Sequence, residues 1–212
     1  MLSSVCSAEI TGQAGALAAL KSEAPKDRLE AIQYLGAQRS DDAYAALALH
    51  FRQEKDAYLR VQLVEALDVT ISTWSAACAL EAADDGNLAV RAAAAVALAP
   101  LSGGEAADAK LSALAADPAD SVRLAVVSSS ARNPGPSTET LLGSVLGDKA
   151  AALPVRREAA GALAGMKSKK ADAELLKYLS DPDPVIKKAA ASRKPAPRPA
   201  ARKKKAPAKT KK

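Results

Sequence analysis

Apolar residues recur along the chain in a pattern that is clearest when aligned on six basic positions. These are Arg28, Arg60, Arg91, Arg123, Arg156 and Lys187, spaced 32, 31, 32, 33 and 31 residues apart. One place before the anchor stand Leu59, Val90, Val122, Val155 and Ile186, with Asp27 the exception. Three and four places after it come Ala31 and Ile32, Leu63 and Val64, Ala94 and Ala95, Val126 and Val127, Ala159 and Ala160, and Ala190 and Ala191. Seven places after it come Leu35, Leu67, Leu98 and Leu163, while Ser130 breaks the column and Lys194 falls in a different kind of sequence. Offsets −1, +3, +4 and +7 share one face of a helix, so each anchor marks a first helix. A turn rich in Gly, Ser, Asp or Pro then leads into a second helix, predicted at about 41–52, 73–83, 104–116, 137–146 and 169–179.

Each unit is thus a helical hairpin of roughly 31 residues that buries its apolar face only against the next. The fold expected is all-α: a right-handed α-solenoid of about five hairpins, with an unpaired second helix from about 8 to 21 at one end and a helix from Val185 closing the other. Composition agrees. Of 212 residues, 52 are alanine and six are aromatic, which favours closely packed helices over sheets. The length fits one domain with an appendage, read as a solenoid over residues 1–192 and a basic tail over 193–212.

The phrases DDGNLAVRAAAAVAL, DPADSVRLAVV and DPDPVIKKAAA resemble HEAT-like repeats, in particular the short type of phycobilin-lyase subunits, over roughly 8–192. The resemblance implies a ladder between adjacent turns in which an Asp stands six places before the basic anchor. Asp85 precedes Arg91, Asp117 precedes Arg123 and Asp181 precedes Lys187 at that distance, and Glu54 precedes Arg60. Ala150 before Arg156 and Ser22 before Arg28 depart from it, so the ladder is expected to break there. The repeated arginines are read as structural, because every unit must satisfy the same interface and a guanidinium at a buried seam requires an acidic or carbonyl partner.

Candidate chemistry is sparse. His50 is the only histidine, which leaves no pair of imidazoles for a metal site; it is read as a partly exposed helix-end residue without a special role. The iron-dependent hydroxylases built on HEAT repeats depend on His-Glu pairs that this chain lacks. Cys6 and Cys78 stand in no metal or redox spacing, and Cys78 reads as a small core residue. Trp74, the single indole, is a candidate protein-binding residue on a concave face formed by the second helices, with packing between repeats as the alternative. Alkylpurine DNA glycosylases of HEAT-like fold use several aromatics in a basic groove, and only Trp74 could correspond. Neither a secretory signal nor a membrane span is recognisable.

Charge divides the chain. Residues 1–192 carry 20 Lys+Arg against 24 Asp+Glu, whereas residues 193–212 carry ten cations and no acid. The tail, RKPAPRPAARKKKAPAKTKK, has prolines at 195, 197, 199 and 207 and is expected to be extended and disordered when free. Arg193, Lys194, Arg198, Arg202, Lys203, Lys204, Lys205, Lys209, Lys211 and Lys212 are the candidate phosphate contacts, binding nucleic acid without reading bases. The composition resembles the Lys-Ala-Pro tails of linker histones; the Gly-Arg-Pro core of an AT-hook is missing. Import signalling through Arg202 to Lys205, contact with anionic lipid, and folding back on the acidic body are the competing readings of the tail.

The expectation is a non-catalytic, monomeric scaffold or adaptor that binds a protein partner on its concave face and nucleic acid through its tail. It needs no cofactor or metal and resides in the cytoplasm, with the nucleoid if bacterial or in the nucleus if eukaryotic. The alternative is a lyase-type or chaperone-like subunit that holds a chromophore or client protein.

Overall fold

The computed structural model describes residues 10–67 and 72–193, which are helical throughout, with no strand among them. Two series of helices alternate along the chain. One comprises α2 (Pro25–Gln38), α4 (Ala57–Ala66), α6 (Leu88–Leu98), α8 (Asp120–Arg132), α10 (Leu153–Gly165) and α12 (Pro184–Ala191). These carry the basic anchors. The other comprises α1 (Gly12–Ala19), α3 (Asp41–Phe51), α5 (Thr73–Ala82), α7 (Glu105–Ala115), α9 (Pro136–Gly147) and α11 (Lys169–Leu176). Every helix packs on its antiparallel neighbours, and from α2 onward each also packs on the next of its own series, giving the stacked two-layer α-solenoid that the repeat implies.

Local sequence explains where the helices start. Ser40, Asp56, Ser72, Asn87, Ser168 and Asp183 are N-caps whose side-chain oxygens accept from backbone N–H groups of the first turn. Pro25, Pro136 and Pro184 open helices at the position where a missing N–H costs least. The columns at −1, +3, +4 and +7 are the core: Leu59, Leu63, Val64, Val90, Ala94, Ala95, Leu98, Val155, Ala159, Ala160 and Leu163 are all buried. Ser130, the exception at +7, is equally buried, and its hydroxyl has no hydrogen-bond partner among the described residues. The core falls into two clusters, one from Ala16 to Leu141 and one from Val127 to Ile186, which divide around α8 and α9.

The anchor-bearing helices pack against one another more closely than the other series does. Their small side chains allow it. At Gly36 of α2 the approach is so tight that an added Cβ would lie 2.9 Å from the Cβ of Ala66 on α4. In a curved stack the more closely approaching layer is the inner one, so the anchor helices line the concave side. This corrects the sequence-based assignment of that face to the second helices. Apolar periodicity shows which side of each helix is buried and is indifferent to which layer lies inside the bend.

The first helix is shorter than expected, while the last begins at Pro184, one residue before the expected Val185. The first covers 12–19 rather than about 8–21, and residues 1–9 lie outside the described residues. Of the tail, Arg193 is described and 194–212 are outside.

Candidate binding surfaces

The arginines form a seam of ion pairs that links each turn to the next. Arg28 meets Glu54 (Nε to Oε2 2.7 Å), Arg60 meets Asp85 (Nε to Oδ2 2.8 Å) and Arg91 meets Asp117 (Nε to Oδ2 2.6 Å), each through a second parallel bond from Nη2. Nη1 of the same guanidinium reaches back to the backbone carbonyl six residues earlier: Ser22 for Arg28, Glu54 for Arg60, Asp85 for Arg91. Each acid also accepts a backbone N–H two residues on, from Asp56, Asn87 and Ala119 respectively. The spacing of six therefore has a physical origin. One acid closes the turn into its own anchor helix, receives the arginine of the preceding repeat, and offers its carbonyl to the arginine of its own.

Electrostatics follow from the geometry. Burial works against the charge on Glu54 and on Asp85, but hydrogen bonds from Arg28 and Arg60, with backbone N–H groups, outweigh it and hold both carboxyls below the usual range. For Asp117 the bond from Arg91 is the largest influence, in the same direction.

The seam changes in the fourth and fifth units. Asp148, eight places before Arg156, closes the turn there by accepting from Ala150 N. Arg123 pairs with Asp120 on its own helix, donates to the Asp117 carbonyl at 2.6 Å, and its Nε is buried without a hydrogen-bond partner among the described residues. Arg156 still meets Asp181 at 3.0 Å, but its Nε donates to the Leu146 carbonyl. Beside it Arg157 meets Asp183 at 2.6 Å. Lys187, the last anchor, is exposed.

The remaining candidates sit apart from one another. His50 lies in the last turn of α3 and is partly exposed, as expected, and its Nε2 stands 3.2 Å from Glu54 Oε2, which also joins it to the seam. Cys78 is buried in α5, and burial pushes its thiol up to about 12. Trp74 opens α5 on the outer layer and is 40% exposed. Among the described residues no cluster of three or more His, Cys, Asp or Glu is placed to hold a metal, and no helix is long and apolar enough to cross a membrane.

Arg193, grouped by the sequence with the tail, packs against the body. Its Nη2 donates to the carbonyls of Ala164 and Met166, the latter at 2.8 Å, and its Nη1 lies 3.2 Å from Asp172 Oδ1. It is removed from the phosphate contacts because the backbone at the end of α10 offers oxygens that proximity in sequence to other lysines did not reveal. The other nine tail candidates, Lys194 to Lys212, lie outside the described residues.

The sequence missed an apolar groove of about 760 Å³ along the inner layer. Val61 and Val64 of α4, Leu88, Ala92 and Val96 of α6, and Ala125 of α8 line it, with Arg39 and Glu65 as charged members. Leu88 and Val96 are 49% and 47% exposed. A signal was present: apart from the anchor Arg91, LAVRAAAAVAL is apolar, which in a two-layer stack leaves one apolar side facing solvent.

No known family profile matches the chain, and no match is found among curated proteins. Solved structures do resemble it. A designed armadillo repeat protein in complex with the peptide (KR)4 shares 16% identity at a TM-score of 0.53, over 86% of this chain and 98% of that one. An engineered protein shares 18% identity at 0.52, over 87% and 95%. Human deoxyhypusine hydroxylase, with glycerol, shares 17% identity at 0.47, over 85% and 82%. The first two likenesses are likenesses of fold: a helical-repeat solenoid.

Proposed function

We propose that the protein is a non-catalytic helical-repeat scaffold. Its inner groove over α4 and α6 receives a protein segment bearing apolar side chains, and its basic tail holds nucleic acid without sequence preference. The observation that carries the first half is the row of half-exposed apolar side chains, Leu88 and Val96 above all, in a groove of about 760 Å³. The designed armadillo protein, similar in fold, is in complex with the peptide (KR)4. Neither His50 nor Cys78 lines the groove. The second half rests on charge alone: nine Lys and Arg in residues 194–212 and no acid.

Panning a random peptide library on the full chain tests the groove. Enriched peptides should share apolar residues at regular spacing and lose affinity at least tenfold for Val96→Glu, while Trp74→Ala binds as before. Peptides indifferent to Val96→Glu, or sensitive only to Trp74→Ala, overturn the assignment. Absorbance of the purified protein above the protein band would replace the scaffold with the chromophore-holding alternative.

A further inference from the structure

The last hairpin, α11 with α12, carries more positive charge than its own contacts neutralise. Residues 166–193 contain four acids, and every one is engaged: Asp172 by Arg193, Glu174 by Lys177, Asp181 by Arg156 and Asp183 by Arg157. Lys167, Lys169, Lys187 and Lys188 remain exposed, with no acidic partner among the described residues.

The repeat explains two of the four. In α10 the anchor Arg156 and its neighbour Arg157 both reach acids of the following unit, Asp181 and Asp183. In α12 the same two columns hold Lys187 and Lys188, and no further repeat follows among the described residues. Among the described residues the seam thus ends on two exposed cations. The other two lie near Arg193, the last described residue. Arg193 is pinned to the carbonyls of Ala164 and Met166 and to Asp172 on α11, residues that flank Lys167 and Lys169 in the sequence between α10 and α11.

We infer that the last hairpin of the solenoid, α11 with α12, is itself a phosphate-binding surface, in which Lys167, Lys169, Lys187 and Lys188 add contacts to the backbone of a bound nucleic acid. The inference rests on the reading of the tail as a nucleic-acid arm. A rigid cationic face at the root of the arm shortens the chain length over which contacts must be ordered. Arg193 acts there as a positioning residue, anchored to the body without touching phosphate.

The test is the salt dependence of duplex DNA binding by the full chain, read by fluorescence anisotropy. Each lost phosphate contact lowers the magnitude of the slope of log K against log salt by about 0.9. The variant with Lys167, Lys169, Lys187 and Lys188 all changed to Gln should lower it by about 2 to 3. A control with the same loss of charge at the other end, Lys21, Lys26, Arg52 and Lys55 to Gln, should leave it near the wild-type value. Thermal melting of both variants checks the fold. A slope unchanged in the terminal variant but reduced by Lys203→Gln, Lys204→Gln and Lys205→Gln overturns the terminal face and leaves the tail reading standing. Equal losses in terminal and control variants also overturn it, since net charge alone then sets the affinity. Wild-type protein that binds no DNA at low salt removes the tail reading, and the terminal face with it.

Discussion

At the residue scale, the arginine seam separates ion pairs that hold the fold from ion pairs that decorate it. Arg91 and Asp117 are mostly buried, joined by two bonds, and the acid also closes a turn. Removing one partner strands the other, so Asp117→Asn should cost about 2 to 4 kcal/mol in a denaturant melt. Arg52 and Glu81 are just as close but exposed, and Arg52→Gln should leave the midpoint nearly unchanged. The seam also sets the response to acid. Glu54, Asp85 and Asp117 hold their protons less tightly in the fold than in the unfolded chain, whose carboxylates titrate near pH 4. On acidification the unfolded state therefore takes up protons first, so stability is level above about pH 5 and declines as pH falls below about 4. Melts across that range check the sign, and a stability that rose on acidification would contradict it. In the sequence the spacing of six placed the acids beside the turns. Which arginine each acid meets, 25 or 26 residues earlier, depends on how one hairpin stacks on the next.

At the element scale, helix contact rather than helix propensity decides the effect of a substitution. Gly36 and Gly161 both lie inside anchor helices, where alanine is intrinsically the better residue by about 1 kcal/mol. At Gly161 nothing lies within 4 Å of an added Cβ, and Gly161→Ala should stabilise by about 0.5 to 1 kcal/mol. At Gly36 the new Cβ would meet Ala66 at 2.9 Å with the Ala66 carbonyl at 3.3 Å, so Gly36→Ala should destabilise by about 1 to 3 kcal/mol despite its propensity. Equal effects of the two substitutions, measured by thermal melting, would contradict the close packing of α2 on α4. Helix positions were legible because the columns repeat. The existence of the groove was not, since α6 reads equally well as a helix covered on all sides.

At the scale of the whole molecule, a stack in which each unit touches only its neighbours is as cooperative as its weakest interface. Two features weaken the same place. The buried core divides around α8 and α9, and Arg123 lacks the acid across the seam that Arg60 and Arg91 have. Native-state hydrogen exchange should therefore show α9 to α12 opening as a unit at lower free energy than α2 to α8. A single opening free energy across all the helices would show that the division of the core has no energetic weight. The four exposed lysines of the last hairpin, without an acidic partner among the described residues, belong to this scale too.

By itself the amino-acid sequence determined the helical class, the period, the buried columns and the separation of a basic tail, because these follow from spacing and composition that each repeat states again. Only the tertiary structure decided which layer lies inside the bend, that α6 presents an uncovered apolar side, that Arg193 belongs to the body, and where the seam is interrupted. Those properties depend on what stands across from a residue, and in a stack the neighbour comes from another repeat.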